Sequence, residues 1–248
     1  MPRLFPVLMA GTILVLSSRG GLAQGDWLQK GKDLLGGFGK QGGATSQLST
    51  QEIGAGLKEA LRVGTEAVVA QLGKPNGFNA DPNVRLPLPD SLKTVRSALS
   101  TVGMSASLDD LEVSLNRAAE TATPRAKQLF WNAIAEMSLD DVNAIYQGPD
   151  DAATRYFQTK MTPQLSREMK PLVDQSLAEV GAIKTYDSVM NQYQKLPLVP
   201  DVKADLTSYV IEKSTDGIFH YLAIQEAEIR KDPAKQTTEL LQRVFGGG

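Results

Sequence analysis

The single histidine, His220, follows Asp216 and Glu212 at intervals of four residues. That spacing sets a base and two acids along one helical face. Such a column can hold a metal ion or orient an imidazole for proton transfer; it also describes an ordinary solvated face, which is the expectation adopted for it. One histidine excludes any scheme that needs two imidazoles. The absence of cysteine excludes thiol nucleophiles and thiolate metal sites. There is no Gly-x-Ser-x-Gly elbow, no phosphate loop and no Gly-x-Gly-x-x-Gly after a strand. No cofactor, metal site or catalytic residue is therefore expected.

Two further groups carry charge at places where burial matters. Glu226 falls one turn after Leu222 and three residues before Ile229, on the edge of an apolar stripe, and Arg230 follows four residues later. A carboxylate that leaves water needs a partner, and the acid-before-base order supplies one. An adjacent arginine lowers a carboxyl pKa rather than raising it, so a structural ion pair is expected in preference to a general acid. The third group is Asn116-Arg117-Ala118-Ala119-Glu120. If Leu108, Leu111, Leu115, Ala118 and Ala122 form the buried stripe of their helix, then Asn116, Arg117 and Glu120 fall on the other side. A solvated polar face is the first expectation there, with a polar layer against a second helix or the lining of a cleft as alternatives.

The elements that must position these residues are marked by caps and stops. Ser49-x-x-Glu52 has the form of a capping box, and an apolar helical period runs on through Ile53, Leu57, Leu61, Val68 and Leu72. The same spacing recurs at Ser107-x-x-Asp110 and Ser138-x-x-Asp141. Thr123-Pro124, Thr162-Pro163 and Asp232-Pro233 read as a cap followed by proline at the first helical position. Gly73, Gly103, Gly148 and Gly181 suit the left-handed residue after a helix. Val84-Arg85-Leu86-Pro87-Leu88-Pro89 reads as an extended segment whose prolines cannot donate to a ladder. The longest helix is expected over Val202–Lys231, capped by Asp201. These marks predict an all-α fold: an irregular bundle of about nine helices forming a single domain over residues 48–245, followed by a disordered tail at 246–248.

Residues 1–23 read as a cleavable export signal: Arg3, an apolar run from Leu4 to Leu16, then Gly21-Leu22-Ala23 before the expected cleavage. That run is too short for a bilayer core, which needs about 20 apolar residues. Residues 24–47 carry seven glycines and read as a flexible Gly-rich leader. Losing Arg3 and Arg19 with the signal leaves 24 of the 26 basic residues against 28 acidic ones, a net charge of −4. This mild acidity argues against nucleic acid as a partner. Without cysteine there is neither a lipid anchor nor a disulfide. The expected location is the periplasm or the medium.

Several segments in order resemble the bacterial proteins grouped as domain of unknown function family 4197. They are Gly64, Asn76-Gly77-Phe78, Val84–Pro89, Asn116–Glu120, Gly148 with Ala152–Phe157, Tyr209-Val210, Glu226-x-x-Ile229-Arg230-x-Asp232-Pro233 and the stretch from Thr237 to Phe245. The resemblance implies an α-helical exported protein and transfers no catalytic residue. It draws attention to Arg85, Asn116, Arg117, Glu120, Thr154, Arg155, Tyr156, Glu226 and Arg230. Residues of these types can form one buried polar network or line one pocket, which would suit an anionic small ligand held bidentately. If they do not meet, capping and helix pairing account for them. The expected function is a non-enzymatic module that binds a small ligand or an envelope protein. The alternative is a carboxylate-dependent envelope hydrolase, acting for example on glycans.

Overall fold

The computed structural model describes residues 48–138 and 140–246. The expected export signal, the leader and the last two residues of the tail lie outside them. Among the described residues there are eight α-helices, two 3-10 turns and no strand, so the all-α bundle stands with a helix count close to the nine expected. The helices are α1 (Thr50–Leu72), α2 (Lys93–Thr101), α3 (Ala106–Ala135), α4 (Val142–Tyr146), α5 (Ala152–Glu179), α6 (Ala182–Tyr193), α7 (Leu206–Lys231) and α8 (Glu239–Phe245).

The cap that opens α1 forms as the sequence predicts. Ser49 accepts from the Glu52 N–H at 3.2 Å, and Glu52 accepts from the Ser49 N–H at 3.0 Å. The centre of the bundle is α3, which packs against α1, α5, α6 and α7. Where α3, α5 and α7 meet, Phe130, Phe157 and Phe219 form a mutually tilted trio with ring centroids 5.7–6.1 Å apart. Edge-to-face aromatic packing of this kind contributes about 0.5–1.5 kcal/mol per pair beyond simple burial. Helices α5 and α7 run antiparallel, as the contacts of Thr154 with Glu226, Met169 with Thr215 and Asp174 with Thr207 require.

Several local expectations are corrected. Thr123-Pro124 and Thr162-Pro163 lie inside α3 and α5. Each threonine hydroxyl bonds back to a carbonyl four residues earlier, Thr123 to Ala119 at 2.8 Å and Thr162 to Gln158 at 2.5 Å. Neither hydroxyl is left to cap a new start. An interior proline costs about 3 kcal/mol, which the continuous burial of Ala119, Ala122, Ala126 and Phe130 across Pro124 offsets. Ser107 sits one residue inside α3, whose N-cap is Ser105 with no side-chain cap. Ser138 bonds the Asp141 carboxylate rather than a helix N–H. The helix expected to be the longest starts at Leu206, capped by Asp205 in place of Asp201, and its 26 residues are fewer than the 30 of α3 and the 28 of α5. Asp232-Pro233 does open an element, a 3-10 turn over Pro233–Lys235 with the Asp232 carboxylate on the Ala234 N–H at 2.9 Å.

Of the four glycine stops, Gly103 and Gly181 are left-handed, at φ 74° and 76°. Gly73 is right-handed, and after α1 it is Asn76 that turns left-handed, at φ 68°. Gly148 is set by space, since a Cβ there would lie 2.7 Å from the Ala152 Cβ.

Candidate functional site

The residues singled out from the sequence fall into separate groups, each built at an end or a bend of the backbone. The deepest is Glu226, with Arg230, on α7. Their side chains are 1% and 9% exposed and pair at 2.8 Å. Helix α5 begins after Asp151, whose side chain makes no cap bond, so the first turn of α5 would leave its N–H groups without partners. The Glu226 carboxylate fills that role from another helix. It accepts from the N–H groups of Ala153 and Thr154 at 3.0 and 2.7 Å and from the Thr154 hydroxyl at 2.7 Å. Two further bonds come from Arg230, at 3.0 and 2.8 Å. The guanidinium in turn approaches the carbonyls of Ile145 and Tyr146, the last residues of α4, at 3.3 and 3.5 Å. Each charge faces the helix end of opposite polarity.

On α3, Asn116 holds the backbone of an extended segment, and Glu120 that of the turn after α1. The expected solvated face is corrected: Asn116 is fully buried and Glu120 is 4% exposed. The stripe argument assumes one buried side, and the central helix is covered on several. Asn116 accepts from the Leu86 N–H at 2.9 Å and donates to the Leu86 carbonyl at 2.7 Å, mimicking a strand partner. Glu120 accepts from the N–H groups of Phe78 and Asn79 at 3.2 and 3.1 Å and from Arg117 at 2.6 Å. Arg117 then donates to the Asn76 side chain at 2.8 Å, bracing the left-handed turn.

The others are apart from both groups. Arg85 pairs with Glu112 at 2.9 Å. Arg155 is exposed and pairs with Asp151 at 2.7 Å. The Tyr156 hydroxyl donates to Asp141 at 2.5 Å; that bond and the one from Ser138 hold the Asp141 carboxyl below its ordinary range, while the bond to Asp141 and then burial hold the Tyr156 phenol above its own. No hydrogen bond or ion pair among the described residues joins the Glu120 group to the Glu226 group. Tyr209, whose hydroxyl donates to the Pro87 carbonyl at 2.7 Å, has its pKa pushed up to about 12, first by burial and then by Asp90, Glu112 and Glu212.

A different feature is concave. Along the seam of α5 and α7 lie two depressions of about 310 and 320 Å3 that share Asp216. The buried Ile211, Thr215 and Phe219, at four-residue intervals on α7, form the floor. The exposed column Glu212, Asp216 and His220 stands beside them as one wall. The facing wall on α5 presents Gln158, Thr162 and Ser166 at the same interval, with Arg155, Arg167 and Lys170 at the rim. Polar ties close both ends, Thr207 to Asp174 at 2.5 Å and Thr154 to Glu226 at 2.7 Å. The charges along the seam find partners close in sequence: Lys170 in Asp174 at 2.9 Å, Arg155 in Asp151 at 2.7 Å, Glu212 in Lys213 at 3.1 Å, and Arg167 only in the Pro163 carbonyl at 3.3 Å. Among the described residues no ion pair crosses the groove. Partial burial raises the Asp216 carboxyl above its ordinary pKa, against the pull of Lys213.

The sequence had marked the acidic wall by its spacing but not the facing one. Ser166, Arg167 and Lys170 lie on a helix with no sharp amphipathic period, and only the antiparallel pairing of α5 with α7 brings them opposite Asp216.

No group of three or more His, Cys, Asp or Glu able to hold a metal ion occurs among the described residues, and none of the described helices is long and apolar enough to cross a membrane. No curated protein and no solved structure matches the chain. The family described as "Protein of unknown function (DUF4197)" matches residues 47–246. With the whole helical bundle inside that match, the chain belongs to this family.

Proposed function

We propose that the protein is an exported, non-catalytic binding module of the periplasm or the medium, and that the groove between α5 and α7 holds its ligand or envelope partner. The observation that carries this reading is the division of its acids. The buried carboxylates are committed to backbone ends, Glu226 through five hydrogen bonds and Glu120 through three. Of the acids that line the groove, Glu212 and Asp216 stand one turn apart on the α7 wall, and Asp151, at the start of α5, is held by Arg155 at 2.7 Å. Glycoside hydrolysis needs two carboxyls flanking the scissile bond, about 5–9.5 Å apart, and the one acid facing the α7 wall, Asp151, is tied up by Arg155. Trp131 does not serve as an open sugar platform either, because Arg62 and Lys127 lie over its ring at 5.0 and 4.6 Å.

Native mass spectrometry of the protein recovered from its host's envelope, without delipidation, tests this reading. Added mass on the folded chain is the expected result. A bare chain that releases soluble products from envelope glycans, and loses that activity in Glu212→Gln or Asp216→Asn, would replace binding with hydrolysis.

A further inference from the structure

We infer that the groove between α5 and α7 binds an extended polypeptide segment in which an apolar side chain is flanked by one acidic and one basic residue. This rests on the binding reading above and names its ligand class. The groove follows α7 from Ser208 to Ala223, fifteen steps of a helix, or about 22 Å. Extended chain advances about 3.3 Å per residue, so roughly seven residues span it.

Three features select a peptide over other occupants. The walls carry opposite charge, Arg167 and Lys170 on α5 against Glu212 and Asp216 on α7, and no pair between them closes the gap. A ligand of one charge sign would gain at one wall and be repelled at the other, whereas one bearing both signs complements each. The floor at Ile211 and Thr215 is apolar and takes a side chain from water. An acyl chain would fit that floor but would desolvate Glu212 and Asp216 without compensation. Finally, Ser166 and Gln158 line the α5 wall with a hydroxyl and an amide; their side chains form no hydrogen bond among the described residues and are placed to meet main-chain N–H and C=O groups.

The test is fluorescence anisotropy on the full mature chain. The probe is a labelled peptide of about seven residues, blocked at both ends, with a central leucine between a glutamate and a lysine. A control carries glutamine in place of both charges, and palmitate serves as a competitor. The mixed-charge peptide is expected to bind on the order of tenfold more tightly than the neutral one, and to weaken by a similar factor as salt rises to about 0.5 M. The charge reversal R167E/K170E, at exposed positions, should weaken it likewise, and Ser166→Trp should abolish binding by filling the groove, with helicity and melting temperature kept. Equal affinity for both peptides, binding unaffected by either variant, displacement by palmitate, or no binding of the mixed-charge peptide overturns the proposal. The binding function survives that failure if host-recovered protein still carries added mass, and falls with it if the chain is bare.

Discussion

Glu226 and Arg230 stand one turn apart on α7, pair at 2.8 Å, and each reaches a different helix: the carboxylate the first turn of α5, the guanidinium the last carbonyls of α4. The pair thus joins two helix ends across the bend at Gly148 and fixes both to α7. Glu226→Ala strands a buried guanidinium and uncaps α5, and is expected to cost about 3–5 kcal/mol. Glu226→Gln, which keeps one acceptor oxygen for the α5 N–H groups, should cost less. Urea unfolding at constant slope measures both; a midpoint unchanged in the alanine variant would mean that the clamp does not bear on stability.

Asn116 satisfies both backbone groups of Leu86 from inside the bundle. Asn116→Leu removes these bonds where water has no access, and a buried unpaired polar group costs about 1–3 kcal/mol. A loss of about 2–4 kcal/mol is expected, with faster amide exchange concentrated at Val84–Leu88. Uniform acceleration across the chain, with no extra effect at that segment, would contradict the assignment.

Gly56 lets α8 approach α1: a Cβ there would stand 2.6 Å from Val244 Cγ2 and 2.9 Å from Val244 Cβ. Alanine is favoured over glycine in a helix by about 1 kcal/mol, so on propensity alone Gly56→Ala would stabilise. Because the clash includes the Cβ of Val244, α8 must shift, and a net destabilisation of about 1–2 kcal/mol is expected. Limited proteolysis should cut the C-terminus sooner; a more stable variant with an intact C-terminus would show that α8 adapts freely.

Tyr209 keeps its proton to about pH 12 in the folded chain, against about 10 in an unfolded one. A folded-state pKa raised above the unfolded value adds stability that is fully present below pH 10 and lost as pH rises through the folded value. Tyr209→Phe should therefore lose one high-pH step in the ultraviolet titration of tyrosine. Its stability should also fall less between pH 10 and 12 than that of the wild type. Loss of a step near pH 10 instead would place Tyr209 in water.

Helix content and several ends were legible because they depend on local chemistry: the Ser49–Glu52 box and the Asp232 cap need only neighbours in sequence. The Thr-Pro pairs were misread as starts because the alternative, a threonine bonding back within a helix that continues, depends on burial on both sides of the proline. Asn116 and Glu120 were turned outward because a stripe argument gives a helix one buried side, and α3 is enclosed. The ion pair of Glu226 with Arg230 was readable from spacing. Its second task, capping helices distant in sequence, was not, since the bonds to Thr154 and Ile145 cross 72 and 85 residues. The groove stood half in view, as the column Glu212, Asp216 and His220.

Binding in the groove between α5 and α7 is a proposal that one comparison decides. The most direct test is the native mass of wild type and Ser166→Trp, recovered side by side from the host envelope. Added mass on the wild type and none on the equally folded variant is the predicted result. Bare chains in both, or the same added mass on both, would contradict it.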